Sequence, residues 1–214
     1  MKESNVGRIA FGVCVSLAMV FTLISLLTPG NQAWRTFQKR AKHSRLNIPT
    51  SIGLLRYQCI EYLNNYAYSK SGVEILKKNF CDYVFNNQAS WDKMVLYTLI
   101  SSFIIELVSI IYLFLPRDFC CERYEYMALP FSIFATCIIT LLLYGVISYA
   151  LRYQEITIIM ENFSKKVPPN IFDPSEIKVG LGYSYYLSCI ALGFAFLSLS
   201  AAIFNITLPW CFLW

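Results

Sequence analysis

Four runs of mostly apolar residues, each stopped by proline or by a charged turn, divide the chain into candidate membrane spans and polar connections. They cover about 9–28, 95–115, 127–151 and 183–208. A spanning helix needs roughly 20 such residues, because lipid offers no partner to an exposed backbone N–H or C=O and a helix pairs both within itself. Pro29-Gly30 closes the first run, Pro116 the second and Pro209 the fourth, while Pro130 falls in the first turn of the third, where its missing N–H costs least. The first run is long for the core of a secretory signal and leads into no small-x-small cleavage site, so it reads as a retained helix. The pattern predicts a membrane all-α fold, a four-helix transmembrane bundle, as a single domain over 1–214.

Between the first two spans lies the one polar segment large enough to fold outside a bilayer, about 30–94. Gly53 to Ile60 and Asp82-Tyr83-Val84-Phe85 have strand-like composition and predict a small antiparallel sheet there. Cys59 and Cys81 are its only cysteines; if the segment faces an oxidising compartment, such a pair is most simply a disulfide. Closing that loop contributes about 3 kcal/mol on the chain-entropy model. Zinc is a poorer reading, since two cysteines and the lone His43 leave a tetrahedron incomplete.

Composition agrees with the pattern: 57% of residues are hydrophobic and only 14% charged. The charge is concentrated, with 10 Lys and Arg against 4 Asp and Glu over 30–94, a net +6 where the whole chain carries +5. Such a field attracts anionic headgroups, an acidic partner or permeating anions; the alternative is a plainly solvated loop. No nucleophile, base and orienting group can be assembled around the single histidine, and no metal or phosphate motif is present, so neither an enzyme, a cofactor, a bound metal nor a nucleic-acid partner is expected.

Four features remain as candidates. Glu106 lies near the centre of the second span, where a charge costs roughly 3 kcal/mol or more, and reads either as an ion or proton site or as a carboxyl hydrogen-bonded between helices. Ser184, Ser188, Ala191, Ala195, Ser198 and Ala202 form a small-residue stripe that faces another helix, in this bundle or in a partner. Cys120 and Cys121, in a short turn at 116–126, are candidates for palmitoylation if that turn is cytoplasmic, and otherwise two reduced thiols. Asn162 heads an Asn-Phe-Ser glycosylation acceptor in the second polar loop, where Pro168-Pro169 and Pro174 break any helix.

Trp34, then Gly53-Leu54, then Cys59 and Cys81 in a loop between spans one and two resemble the first extracellular loop of the claudin and peripheral-myelin-protein superfamily. Trp91-Asp92-Lys93-Met94 leading into span two and Gly182-Tyr183-Ser184-Tyr185-Tyr186 leading into span four extend the likeness, which looks nearest to the nematode claudin-like (Clc-like) branch and more distant from the stargazin-like receptor subunits. Leu55 stands where the family has tryptophan, and Cys211 to Trp214 read as an end without the family's long scaffold-binding tail. The resemblance implies extracellular loops at 29–94 and 152–182, a cytoplasmic turn at 116–126, an extracellular sheet and a Cys59–Cys81 disulfide. Counting positive charges points the other way, since the two loops hold 14 Lys and Arg, and the rule is weak only for the longer one. Function is then expected to run through contacts with other membrane proteins and the bilayer at the plasma membrane or a cell junction. One form is adhesion or a paracellular barrier, made by copies in cis or trans. The other is an auxiliary subunit of a channel or receptor, held laterally through Glu106 and the small-residue face of the fourth span with Ala191, Ala195 and Ser198, and through the loop against an ectodomain.

Overall fold

The computed structural model describes residues 3–28, 33–39, 51–55, 83–114, 125–165 and 177–211. Four long helices dominate: α1 (Glu3–Leu27), α2 (Ser90–Phe114), α3 (Glu125–Arg152) and α5 (Tyr183–Cys211). A short helix α4 (Ile156–Ser164) follows α3 after a single 3-10 turn, and three strands, β1 (Arg35–Lys39), β2 (Ser51–Ile52) and β3 (Ile177–Leu181), complete the described elements. Apolar stretches long enough to cross a membrane run over Val6–Leu27, Ser90–Phe114, Leu129–Asn162 and Tyr183–Phe204. Packing divides the chain into two compact units.

The first unit comprises Met1–Ile24, Tyr97–Val146 and Leu187–Trp214, the greater part of the four long helices. Its buried positions fall every three or four residues: Phe11, Val15, Ala18 and Thr22 on α1; Leu99, Ser102, Glu106 and Ser109 on α2; Phe131, Ala135, Ile138 and Leu142 on α3; Ala191, Ala195, Ser198 and Ala202 on α5. That spacing makes one seam per helix, the pattern of bundles that cross at shallow angles. On α5 size rather than polarity selects the seam, which consists of alanine and serine. Serine and alanine point inward, while Ile104, Ile111, Phe114, Leu197 and Phe204 are exposed. In lipid there is little gain from hiding a leucine, whereas small side chains let backbones approach and gain dispersion contacts. Phe11 packs on Phe131 with ring centroids 4.8 Å apart, and the Arg8 guanidinium donates to the Leu113 carbonyl, one of the last in α2 that the helix itself leaves unpaired.

The second unit comprises Ser25–Leu96 and Ile147–Tyr186. Its sheet has the order β2-β1-β3, with β1 antiparallel to both neighbours. The longer ladder runs from Arg35 opposite Leu181 to Lys39 opposite Ile177, and the shorter pairs Arg35 with Ile52 and Thr36 with Ser51. Two features depart from the sequence reading. Residues 83–86 form a helical turn, not a strand, with Asn87 closing it onto the Tyr83 carbonyl at 3.0 Å. The third strand comes instead from the second polar segment, in which α4 also buries Ile156 and Met160, one turn apart. The prolines cited against helix there lie beyond its end at Ser164. The α1 helix also begins at Glu3, upstream of the apolar run, and α5 continues past Pro209 to Cys211.

Candidate functional site

Strand period and pairing place one charged side chain at the centre of the second unit. Alternation puts Arg35 and Phe37 on the same face of β1, and both are buried. Arg35, like Thr36, is paired with both neighbouring strands, so its backbone is fixed from two sides. Its guanidinium Nη2 donates to Asp92 Oδ1 at 2.6 Å, with both side chains 4% exposed. The other Asp92 oxygen accepts from Gln88 Nε2 at 2.8 Å. Asp92 sits in the first turn of α2, where a carboxylate also interacts favourably with the helix N-terminus.

Aromatic rings enclose this pair. The guanidinium carbon lies 5.5 Å from the Trp91 ring centroid and 5.4 Å from that of Tyr149, within cation–π range of both. Tyr149 is fully buried and touches Trp34 edge-on at 4.8 Å, while Tyr185 stacks on Tyr149 at 6.0 Å. Trp34 is itself anchored at two points: its indole N–H donates to the Ser25 carbonyl at 2.8 Å, and its backbone carbonyl accepts from the Gly182 N–H at 2.8 Å. Gly182 is required by that approach, since a Cβ there would lie 1.6 Å from the Ala33 oxygen. Burial works against the Arg35 charge, but attraction from Tyr149 and Asp92 outweighs it and holds the guanidinium above its ordinary pKa. The arrangement offers no nucleophile and no base. It is a clamp that ties the sheet to the first turn of α2 and the last turn of α3.

The residues singled out from sequence are distributed over both units. Trp34, Gly53 and Leu54 are buried in the second, where Leu55 is half-buried. Asn162 is exposed on α4. Glu106 is buried in the first unit, its Oε1 accepting from the Thr22 hydroxyl at 3.2 Å and the Ser102 hydroxyl at 3.4 Å. Ala191, Ala195 and Ser198 are buried on the α5 seam. Cys59, Cys81, Cys120 and Cys121 lie outside the described residues. The sequence reading missed Arg35, Asp92 and Tyr149 as a set. Asp92 was legible only as a motif neighbour, because the apolar run suggests a span starting near 95, whereas α2 begins at Ser90. Tyr149 lies among apolar neighbours, and nothing local marks it.

No curated protein matches the chain. Residues 1–206 match the family model described as tight junction protein, claudin-like. With its four apolar helices and small three-stranded antiparallel sheet, the chain belongs to the claudin-like family of tight junction proteins and is a multi-pass protein of the plasma membrane and cell junctions.

Proposed function

We propose that the protein acts at cell contacts as an adhesion or barrier component, with the segment around 30–94 displayed outside the cell and its charge conditioning which ions pass between cells. Family membership over residues 1–206 carries this reading. The net +6 of that segment supports it, because a basic surface lining a paracellular path favours anions and repels cations. In this reading the termini are cytoplasmic, 116–126 is a cytoplasmic turn, and 152–182 forms the second extracellular loop, with a Cys59–Cys81 disulfide in the first. The second reading, an auxiliary subunit of a channel or receptor, rests on the small-residue face of the fourth span, on Glu106 and on the loop against an ectodomain; burial of Glu106, Ala191 and Ala195 within the chain favours the first reading.

The test is expression in junction-free, non-adherent cells and in an epithelial monolayer. Enrichment where expressing cells touch is expected, together with a chloride-to-sodium permeability ratio that falls when Arg40, Lys42 and Arg45 are changed to Glu. Diffuse surface staining, with co-purification of one channel and an unchanged permeability ratio, would overturn the proposal.

A further inference from the structure

The Glu106 side chain is fully buried on α2, and its two oxygens are served unequally. Oε1 accepts from the Thr22 hydroxyl at 3.2 Å and the Ser102 hydroxyl at 3.4 Å, while Oε2 has no hydrogen-bond partner among the described residues. Neither contact is of the kind an anion makes. Hydroxyl-to-carboxylate bonds shorten to about 2.5–2.7 Å, because the charge draws the hydrogen in. Thr22 has a single hydroxyl hydrogen and also reaches the Ala18 carbonyl at 2.9 Å, so Oε1 receives only a share of it. Other buried hydroxyls of the unit give their hydrogens to helix carbonyls, Ser109 to Ile105 and Ser198 to Ala195, both at 2.7 Å.

No counter-charge makes up the deficit. Among the described residues of the first unit Arg8 is the one cation, and its guanidinium donates to the Leu113 carbonyl, about two turns or about 10 Å along α2 from Glu106. Glu3 and Glu125, at the starts of α1 and α3, bring only further negative charge. None of the described residues buried on α1, α3 and α5 in this unit is titratable, and the half-buried Cys14, Tyr112 and Cys189 supply no positive charge. A carboxylate in such surroundings has lost its water and gained nothing that replaces it, and a group so placed takes up a proton rather than stay charged. An O–H left without an acceptor is a far smaller penalty than an uncompensated charge.

We propose that Glu106 is a proton-binding site: at neutral pH its carboxyl is the neutral acid, with the proton on Oε2 and with Oε1 left as a carbonyl oxygen that accepts from Thr22 and Ser102. Hydrogen bonds then tie α1 to α2 in the apolar interior without a buried charge. Neither the barrier role nor the orientation of the chain bears on the site.

Infrared spectroscopy of the full-length protein in phosphatidylcholine vesicles at neutral pH reads the protonation state, since the carbonyl stretch of a carboxylic acid stands clear of the carboxylate and amide bands. An acid band is expected that is lost in Glu106→Gln and displaced when the glutamate carboxyls carry carbon-13; the labelling uses the native chain and does not depend on the variant folding. Thr22→Val, which keeps the shape of the side chain and removes one donor, should move that band to higher frequency without abolishing it. Loss of a carboxylate band in place of an acid band in Glu106→Gln would overturn the proposal, as would a native spectrum in which no acid band responds to glutamate labelling, or an acid band unmoved by Thr22→Val.

Discussion

Replacing Asp92 with Asn leaves the Arg35 guanidinium buried with no counter-charge, and the cost can be worked from the geometry. Two unit charges 4 Å apart attract by about 4 kcal/mol at an effective dielectric of 20, and the observed 2.6 Å contact is closer than that. Most of this offsets the desolvation of two groups that are each only 4% exposed. Breaking such a pair from one side costs about 3–5 kcal/mol, because the remaining charge keeps its desolvation penalty and loses its compensation. The Trp91 and Tyr149 rings stay in place and recover part of the loss through cation–π attraction. Arg35→Met leaves the opposite orphan, a carboxylate whose other side-chain donor among the described residues is Gln88 at 2.8 Å, and should cost a similar amount. The double variant buries no unpaired charge. Its loss should therefore fall well short of the sum of the singles, giving a coupling energy of at least about 2 kcal/mol. Denaturant unfolding of the purified full chain, followed by tryptophan fluorescence, measures all three corners. Additivity within about 0.5 kcal/mol would refute the claim that the pair acts as a desolvated unit.

Gly182→Ala should abolish folding and surface delivery, since its Cβ would overlap the Ala33 carbonyl, whereas Gly193→Ala, with nothing within 4 Å, should be neutral; surface biotinylation compares the two. Glu106→Gln keeps an acceptor for the Thr22 and Ser102 hydroxyls and should shift stability by less than about 1 kcal/mol, while Glu106→Ala takes that acceptor from Ser102, leaves Thr22 its Ala18 carbonyl, opens a cavity and should cost more than about 2 kcal/mol in the same denaturation assay. Trp34→Phe loses the bond to the Ser25 carbonyl and leaves that acceptor buried, a loss of about 1–3 kcal/mol readable as a lower unfolding midpoint. In microsomal translation, a glycan on Asn162 that Asn162→Gln removes, with none on Asn205, is expected of the proposed orientation, and the reverse pattern would refute it.

The spans were legible because membrane solvation leaves a strong, local trace: a run of apolar residues long enough to cross. The small-residue seam of α5 was legible for the same reason, as Ala191, Ala195, Ser198 and Ala202 repeat at helical spacing and lie buried in the unit. The sheet was less so. Strand composition at Tyr83-Val84-Phe85 pointed to a strand where the chain makes a helical turn, because four residues beside an Asn-Asn-Gln stretch carry too little information to separate the two states. The partner that β1 takes, Ile177–Leu181, lies more than 130 residues away, and no periodicity reveals a pairing of that range. The clamp was hidden for a related reason. Arg35 read as one cation in a basic run, Asp92 as a residue just outside a span, and Tyr149 as one more aromatic in an apolar helix; only the fold makes them a set.

That set also bears on why the central strand carries a charge at all, when hydrophobic side chains of similar volume would be at least as stabilising. A strand has a side-chain period of two, so slipping β1 by one residue turns Arg35 and Phe37 away from the interior and brings Thr36 toward it. In an all-apolar site the cost of such a slip is a difference in burial between neighbouring residues, which a short strand next to a two-residue partner resists weakly. With Asp92 fixed in the first turn of α2, the same slip leaves a buried carboxylate without its guanidinium, at about 3–5 kcal/mol, and also empties the space between Trp91 and Tyr149. The ion pair therefore adds little to the depth of the native state and much to its separation from the nearest misregistered one.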